Sequence, residues 1–375
     1  MQTKHSLILA SAAGLLFMTS CHKKENNTAP AAIPTSSQVI TNFAANVATP
    51  DYTALLNNVL SFQATVTSFS ASPTDNDLVA MRQYWKNMRV AYESAEAFLV
   101  GPIATLNLDP DVDTWPVEQN SLDSLLNSNT ILTPAIIASL PQTLAGFHPI
   151  EYLIFGTTGT ATAASFTVTT GSPTGPRKMN YLVALTGNLV SNITLIRSAY
   201  TVGSSDDFIS IIENPSSTNT TYTTHKAALL NLVQTMSGIC DEVGGSNSDG
   251  KIYSVYSTKD STLQESYFSN NSWADFTNNI IGVRNVYFGA YNSGTTIAAN
   301  SLNNLVAAKN LALNNAIVQS MNTAINSFNS VGTTPFGTSI ITQRTQVVAI
   351  MTAIDSLKST LDNKLAPFIN QYVTD

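Results

Sequence analysis

Charge is scarce in this chain. Only 11% of its 375 residues are Asp, Glu, Lys or Arg, with 4 histidines and 2 cysteines among the rest. Each shortage excludes something. No stretch is rich in Lys and Arg and the formal net charge is -7, so nothing in the sequence would track a phosphate backbone, and nucleic acid is excluded as a partner. Cys21 lies in the N-terminal segment, which leaves Cys240, flanked by Ile239, without a second cysteine for an internal disulfide. A small packed residue describes Cys240 better than a nucleophile. The patterns H-E-x-x-H, G-x-S-x-G, the P-loop, the Gly-rich dinucleotide turn and the EF-hand loop are all missing.

The N-terminus carries an address. Lys4 and His5 precede an apolar run, Leu7–Met18, that is too short to span a bilayer and has the proportions of a signal peptide. The ending Met18-Thr19-Ser20-Cys21 resembles a bacterial lipobox, in which the cysteine is lipidated and becomes the first residue. An ordinary secretory signal followed by a chance cysteine is the competing reading. We assign 1–20 to a lipoprotein signal peptide and 21–36, polar with two prolines, to a flexible tether. The expected location is extracytoplasmic, on a bacterial membrane, held by a lipid at Cys21.

Beyond the tether the patterning is helical. Tyr52, Leu55, Leu56, Val59, Phe62, Val66 and Phe69 recur at steps of three and four, with a start expected at Asp51 after Pro50. Asp75 is the expected N-cap of a second helix whose apolar face is Leu78, Met81, Trp85, Met88, Tyr92, Ala95 and Leu99. Helices are also expected at Tyr181–Tyr200, His225–Val243, Ser272–Gly289, Leu302–Phe328 and from Val347 to Leu365, with Ser246–Thr258 as loop. The one β-like run, Ser165–Thr170, falls inside a Thr-, Gly- and Pro-rich loop at 157–176. The fold class is therefore all-α, with two packed helical bundles, at 37–176 and 177–375.

Two features stand out against this neutral background. The second helix carries Arg82, Lys86, Arg89, Glu93 and Glu96 on one stripe. A solvated face is the ordinary explanation, but the other helices solvate themselves with Asn, Ser and Thr. The second feature is Gly146-x-His148-x-x-Glu151 among Phe147, Ile150, Tyr152, Leu153 and Phe155. If Pro149 opens a helix, His148 is the N-cap and Glu151 can cap backbone donors at the third position. Alternatively both side chains face one cavity, where His and carboxylate at i,i+3 bind a metal ion or act as a base and its orienter. Two ligands are too few for a tight site. Partners come from Glu93, Glu96, Asp113, Glu265 and Asp275. A three-histidine zinc site is excluded, because of the remaining histidines His22 lies in the tether.

Several blocks together resemble the imelysin family. G-F-H-P-I-E-Y-L-I-F-G is similar to its G-x-H-x-x-E block, and Trp85–Pro102 to its first block, with Trp, Arg, Tyr, Glu and a closing Gly-Pro. Trp115-Pro116, Glu265–Gly289 and Pro335-Phe336 also match in order, over most of residues 40–365. The resemblance implies a two-bundle helical fold with the blocks meeting between the bundles. It points to Gly146, His148 and Glu151, to Arg89, Glu93 and Glu96, and to Glu265, Ser269, Asp275, Asn285 and Tyr287. The family includes a protein described as an insulin-cleaving peptidase, iron-regulated proteins, and relatives of periplasmic iron-uptake components.

Three functions follow as expectations. The first is a lipoprotein that binds iron, another divalent metal or an iron-bearing ligand between the bundles, together with iron-uptake proteins. Its metal ligands would be His148, Glu151, Glu93 and Glu96, with Arg89, Gly146, Trp115, Glu265, Ser269, Asp275, Asn285 and Tyr287 around them. The second is a metal-dependent peptidase with Glu151 as base, although no complete catalytic constellation is present. The third is a surface lipoprotein that binds a small ligand or partner without metal.

Overall fold

The computed structural model describes residues 33–157, 159–246, 249–292 and 294–374. The signal segment 1–20, Cys21 and the tether up to residue 32 lie outside the described residues. Residues Ile33–Asp375 form one compact unit. Among the described residues no strand forms, and Ser165–Thr170 contributes a 3-10 turn (Ala163–Phe166) and irregular chain instead.

The first bundle is built on α1 (Ser36–Phe43), α2 (Thr49–Ala71) and α3 (Asp75–Ala95). Thr35 and Gln38 close a capping box at the start of α1. The helix does not begin at Asp51 as expected. It runs on from α1 through a π-helical segment, Ala44–Ala48, so Pro50 sits inside a continuous helical stretch. A proline there cannot donate to the carbonyl of Asn46, four residues back. That carbonyl instead accepts from the backbone N–H of Tyr291 at 2.7 Å, which removes the cost of the missing donor. Tyr52, Leu55, Val59, Phe62, Val66 and Phe69 are all buried. The N-cap of α3 is Thr74 rather than Asp75, because the Thr74 hydroxyl accepts from the Asp77 N–H.

Three further helices complete the frame of the site: α4 (Asp109–Asp113), α5 (Phe147–Phe155) and α6 (Gly175–Ala199). Helix α6 packs along α2 and also touches α5. The division expected at 176/177 thus coincides with the first residues of a helix that packs on the first bundle.

The second bundle comprises α7 (His225–Gly244), α8 (Lys251–Thr258), α9 (Ser272–Phe288), α10 (Leu311–Ser327) and α11 (Arg344–Thr360). The segment read as loop at Ser246–Thr258 contains α8. The single helix expected at Leu302–Phe328 is broken at Asn310, whose side chain caps the Leu313 N–H. Helix α11 continues through a π-helical segment, Leu361–Leu365.

The bundles meet where α9 crosses α3. Gly282 permits that crossing, since a Cβ there would lie on the carbonyl of Ser94. The close approach fixes Asn285 against α3, where its Nδ2 donates to Ser94 Oγ at 3.1 Å. Nearly two turns earlier, Asn279 reaches Glu93.

Candidate functional site

Beside that crossing lies a buried ionic cluster assembled from seven segments. Helix α3 supplies Arg89 and Glu93, and the 3-10 turn that follows it supplies Glu96. Asp113 ends α4, His148 and Glu151 sit on α5, and Lys251 opens α8. Glu265 lies in the loop before α9, and Asp275 on α9 itself. All nine are buried.

Arg89 is the hub. Its Nη1 donates to Asp113 Oδ1, and its Nη2 donates to Glu93 Oε1 and, at 2.5 Å, to Glu265 Oε1. Its Nε lies 3.5 Å from Asp275 Oδ1. The guanidinium also lies 5.2 Å from the Phe147 ring and 5.9 Å from the Trp85 ring, which pack its apolar faces. Burial alone would lower the Arg89 pKa, but Asp113, Asp275 and Glu265 raise it well above its ordinary value, so the charge is permanent.

His148 is held at both nitrogens. Its Nδ1 is 3.2 Å from Glu151 Oε2 and its Nε2 is 3.2 Å from Asp113 Oδ1. Burial opposes protonation, yet the bonds to Asp113 and Glu151 push the pKa up to about 9. Asp113 responds in the opposite sense. Burial would raise it, but Arg89 and then His148 hold it down at about 2. Burial raises Asp275 to about 6, against the pull of Arg89, and raises Glu96 well above the carboxylate range. The remaining carboxylates are tied by amides: Asn279 Nδ2 donates to Glu93 Oε2 at 2.7 Å and to Glu96 Oε2, and Asn271 Nδ2 to Asp275 Oδ1 at 2.8 Å.

Helix α5 starts differently from the expectation. Its N-cap is Gly146, at φ 77°, and no side chain caps it; His148 and Pro149 already lie inside the first turn. A Cβ on Gly146 would lie on the Val112 carbonyl, so this glycine sets how closely α5 approaches α4. Glu151 caps nothing on its own helix. Its Oε1 accepts from the Ser269 backbone N–H at 2.7 Å and its Oε2 faces His148 Nδ1, so it orients the imidazole.

The other residues singled out from the sequence divide. Arg89, Glu93, Glu96, Glu265 and Asp275 join the cluster. Trp115 lies at its edge, with its ring 4.4 Å from Lys251 Nζ. Ser269 takes part through its backbone. Asn285 pairs with Ser94, and Tyr287, three turns along α9 from Asp275, donates to Asn314 Oδ1 at 2.8 Å; both pack the bundles rather than line the cluster. Lys251 and Asn279 were not singled out, and only the scarcity of lysine could have flagged the first.

Two sets of residues bring potential ligand atoms within 4.8 Å of one another: Asp113, His148 and Glu265, and Glu93, Glu96 and Asp113. In the first set, each residue keeps one buried atom off hydrogen-bond geometry, namely Asp113 Oδ2, His148 Nε2 and Glu265 Oε2. An imidazole nitrogen with carboxylate oxygens suits a first-row divalent ion, and a carboxylate on the far imidazole nitrogen is the usual support for such a ligand. The donor set therefore fits a metal. Buried carboxylates outnumber cations six to three, so it also has a surplus of negative charge.

The fold and sequence both have relatives. The family model for imelysin matches residues 48–363. Iron-regulated protein A of Synechococcus elongatus is 24% identical over 336 residues, covering 89% of this chain and 87% of that protein. A crystal structure of a putative iron-regulated protein A precursor from Parabacteroides distasonis superposes with a TM-score of 0.77 at 24% identity, covering 92% of this chain and 97% of the other. An imelysin-like protein from Psychrobacter arcticum gives 0.68 at 10% identity, with 91% and 97% covered. The match over most of its length shows that the chain belongs to the imelysin family.

Proposed function

We propose that this protein is an extracytoplasmic lipoprotein, anchored at Cys21, that binds a metal ion at the Asp113–His148–Glu265 cluster and serves iron uptake beside other iron-uptake proteins. The observation that carries the reading is the gathering of Asp113, His148 and Glu265 with ligand atoms within 4.8 Å of one another, each residue also keeping one buried atom off hydrogen-bond geometry. Such atoms are costly to bury unless something completes them. Glu93 and Glu96 stand close enough to Asp113 to extend the donor set. The ion would supply the positive charge that the surplus carboxylates call for; the proton on His148 and the ammonium of Lys251 now stand in that place. The names of the relatives tie them to iron, which favours iron over other divalent ions.

The cluster residues are at most 6% exposed, so the site admits an ion more readily than a bulky iron-bearing ligand. Glu151, the base that a peptidase reading requires, has one oxygen on the Ser269 N–H and the other on His148, which weighs against hydrolysis.

The test is elemental analysis of the purified mature protein, followed by titration with Fe(II) under anaerobic conditions. Binding lost in His148→Ala and Asp113→Asn supports the site. Wild-type affinity in both variants refutes it. Peptide cleavage abolished by a chelator and by Glu151→Gln would replace this reading with the enzymatic one.

A further inference from the structure

We propose that Lys251 is an exchangeable internal cation: it occupies the carboxylate site until a divalent ion displaces it, and so sets the affinity of that site. The inference rests on the metal-binding reading above.

Lys251 bridges the interior and the surface. Its Nζ lies 3.0 Å from Glu265 Oε2, 3.7 Å from Glu96 Oε1 and 3.1 Å from Glu242 Oε1. Glu265 and Glu96 are buried, whereas the Glu242 side chain is 48% exposed. None of these contacts has hydrogen-bond geometry, so the ammonium is held by charge alone. The ring of Trp115, itself only half-buried, covers it at 4.4 Å. The backbone does not favour the position either, because Lys251 is the first residue of α8, where the helix dipole repels a cation.

Arg89 differs in each respect. Three carboxylates hold it by hydrogen bonds and two rings pack its faces. Lysine is a compact charge on a flexible stem, and by rotating about that stem it can leave Glu265 while staying paired with Glu242. The carboxylate it would uncover, Glu265, belongs to the Asp113–His148–Glu265 set. The ammonium, 3.0 Å from Glu265 Oε2, and a divalent ion on the Glu265 carboxylate would compete for the same negative charge. Of the cluster's cations, Lys251 is thus the one placed to leave, and it would leave toward solvent.

The experiment compares the mature wild type with Lys251→Met and Lys251→Arg by anaerobic Fe(II) and by Mn(II) calorimetry, with thermal unfolding as a second readout. Removing a competing charge at this distance should tighten binding by about tenfold or more. Lys251→Met should bind more tightly and gain more thermal stability from the ion than wild type, while Lys251→Arg should not. If wild type binds and Lys251→Met binds equally or more weakly, the inference is overturned and the metal reading stands. If neither binds, the metal reading falls and takes this inference with it. Should Lys251→Met fail to fold alone, recovery of its fold on adding Mn(II) supports the exchange, and continued unfolding with Mn(II) present overturns it.

Discussion

Replacing His148 by glutamine should alter how the stability of this protein depends on pH, with chelator present throughout. In the folded chain the pKa of His148 is raised to about 9 from an ordinary 6.5, because the bonds to Asp113 and Glu151 outweigh the cost of burial. A raised pKa means that the folded state holds the proton more tightly than the unfolded one. The stabilisation is therefore fully present below 6.5, shrinks as pH rises, and is gone above about 9. That difference corresponds to about 3 kcal/mol.

Glu96 and Asp275, both raised by burial, are present in wild type and variant alike, so the difference between the two proteins isolates His148. Asp113 at about 2 has finished titrating below the window, and Arg89 and Lys251 remain charged above it. Equilibrium urea unfolding at pH 6, 7.5 and 9.5 would measure the effect. The stability advantage of wild type over His148→Gln should fall by about 3 kcal/mol between the first and last of these. A constant difference across that range, or one that grows, would refute the assignment of a protonated imidazole between Asp113 and Glu151.

Arg89→Met should cost about 3–5 kcal/mol, since it leaves Asp113, Glu93 and Glu265 buried without their shared cation; a loss below about 1 kcal/mol in denaturant unfolding would show that Arg89 is not the hub. Gly146→Ala should lose more than about 2 kcal/mol, because it combines φ 77° with a Cβ on the Val112 carbonyl, and an unchanged melting temperature would contradict the close α4–α5 approach. Cys21→Ser should move the protein out of the membrane fraction and abolish incorporation of a labelled fatty acid. Retention in the membrane would rule out the lipid anchor.

The helices were legible where burial is one-sided and the chain is periodic. Leu78, Met81, Trp85, Met88 and Tyr92 were expected on one face of α3 and are all buried. Local rules failed where a distant residue intervenes. Pro50 reads as a helix start, yet the helix passes through it because Tyr291, far along the chain, satisfies the carbonyl it leaves free. Helix α8 was read as loop because K-I-Y-S-V-Y-S-T is short and rich in β-branched, aromatic and serine residues, which carry little intrinsic helix preference. That error hid Lys251.

The buried charged cluster was legible for a compositional reason. In a chain that covers itself with Asn, Ser and Thr, a charged stripe asks for another purpose than solubility. The structure takes Arg89, Glu93 and Glu96 of that stripe inside, while Arg82 donates to the carbonyls of Ile154 and Ala161. What spacing could not supply is the division of labour. Residues at i,i+3 share a face, but nothing local says that Glu151 turns to Ser269 and His148 Nδ1 while His148 Nε2 turns to Asp113. Among the described residues, nine Asp, Glu, Lys or Arg side chains are buried, and all but Asp51 lie in this one cluster. A buried ionic network is a poor adhesive, since apolar residues of similar volume often hold a fold as well or better. Gathering so much of a scarce resource at one crossing, with carboxylates in surplus, is what the proposed cation site would account for and adhesion alone would not.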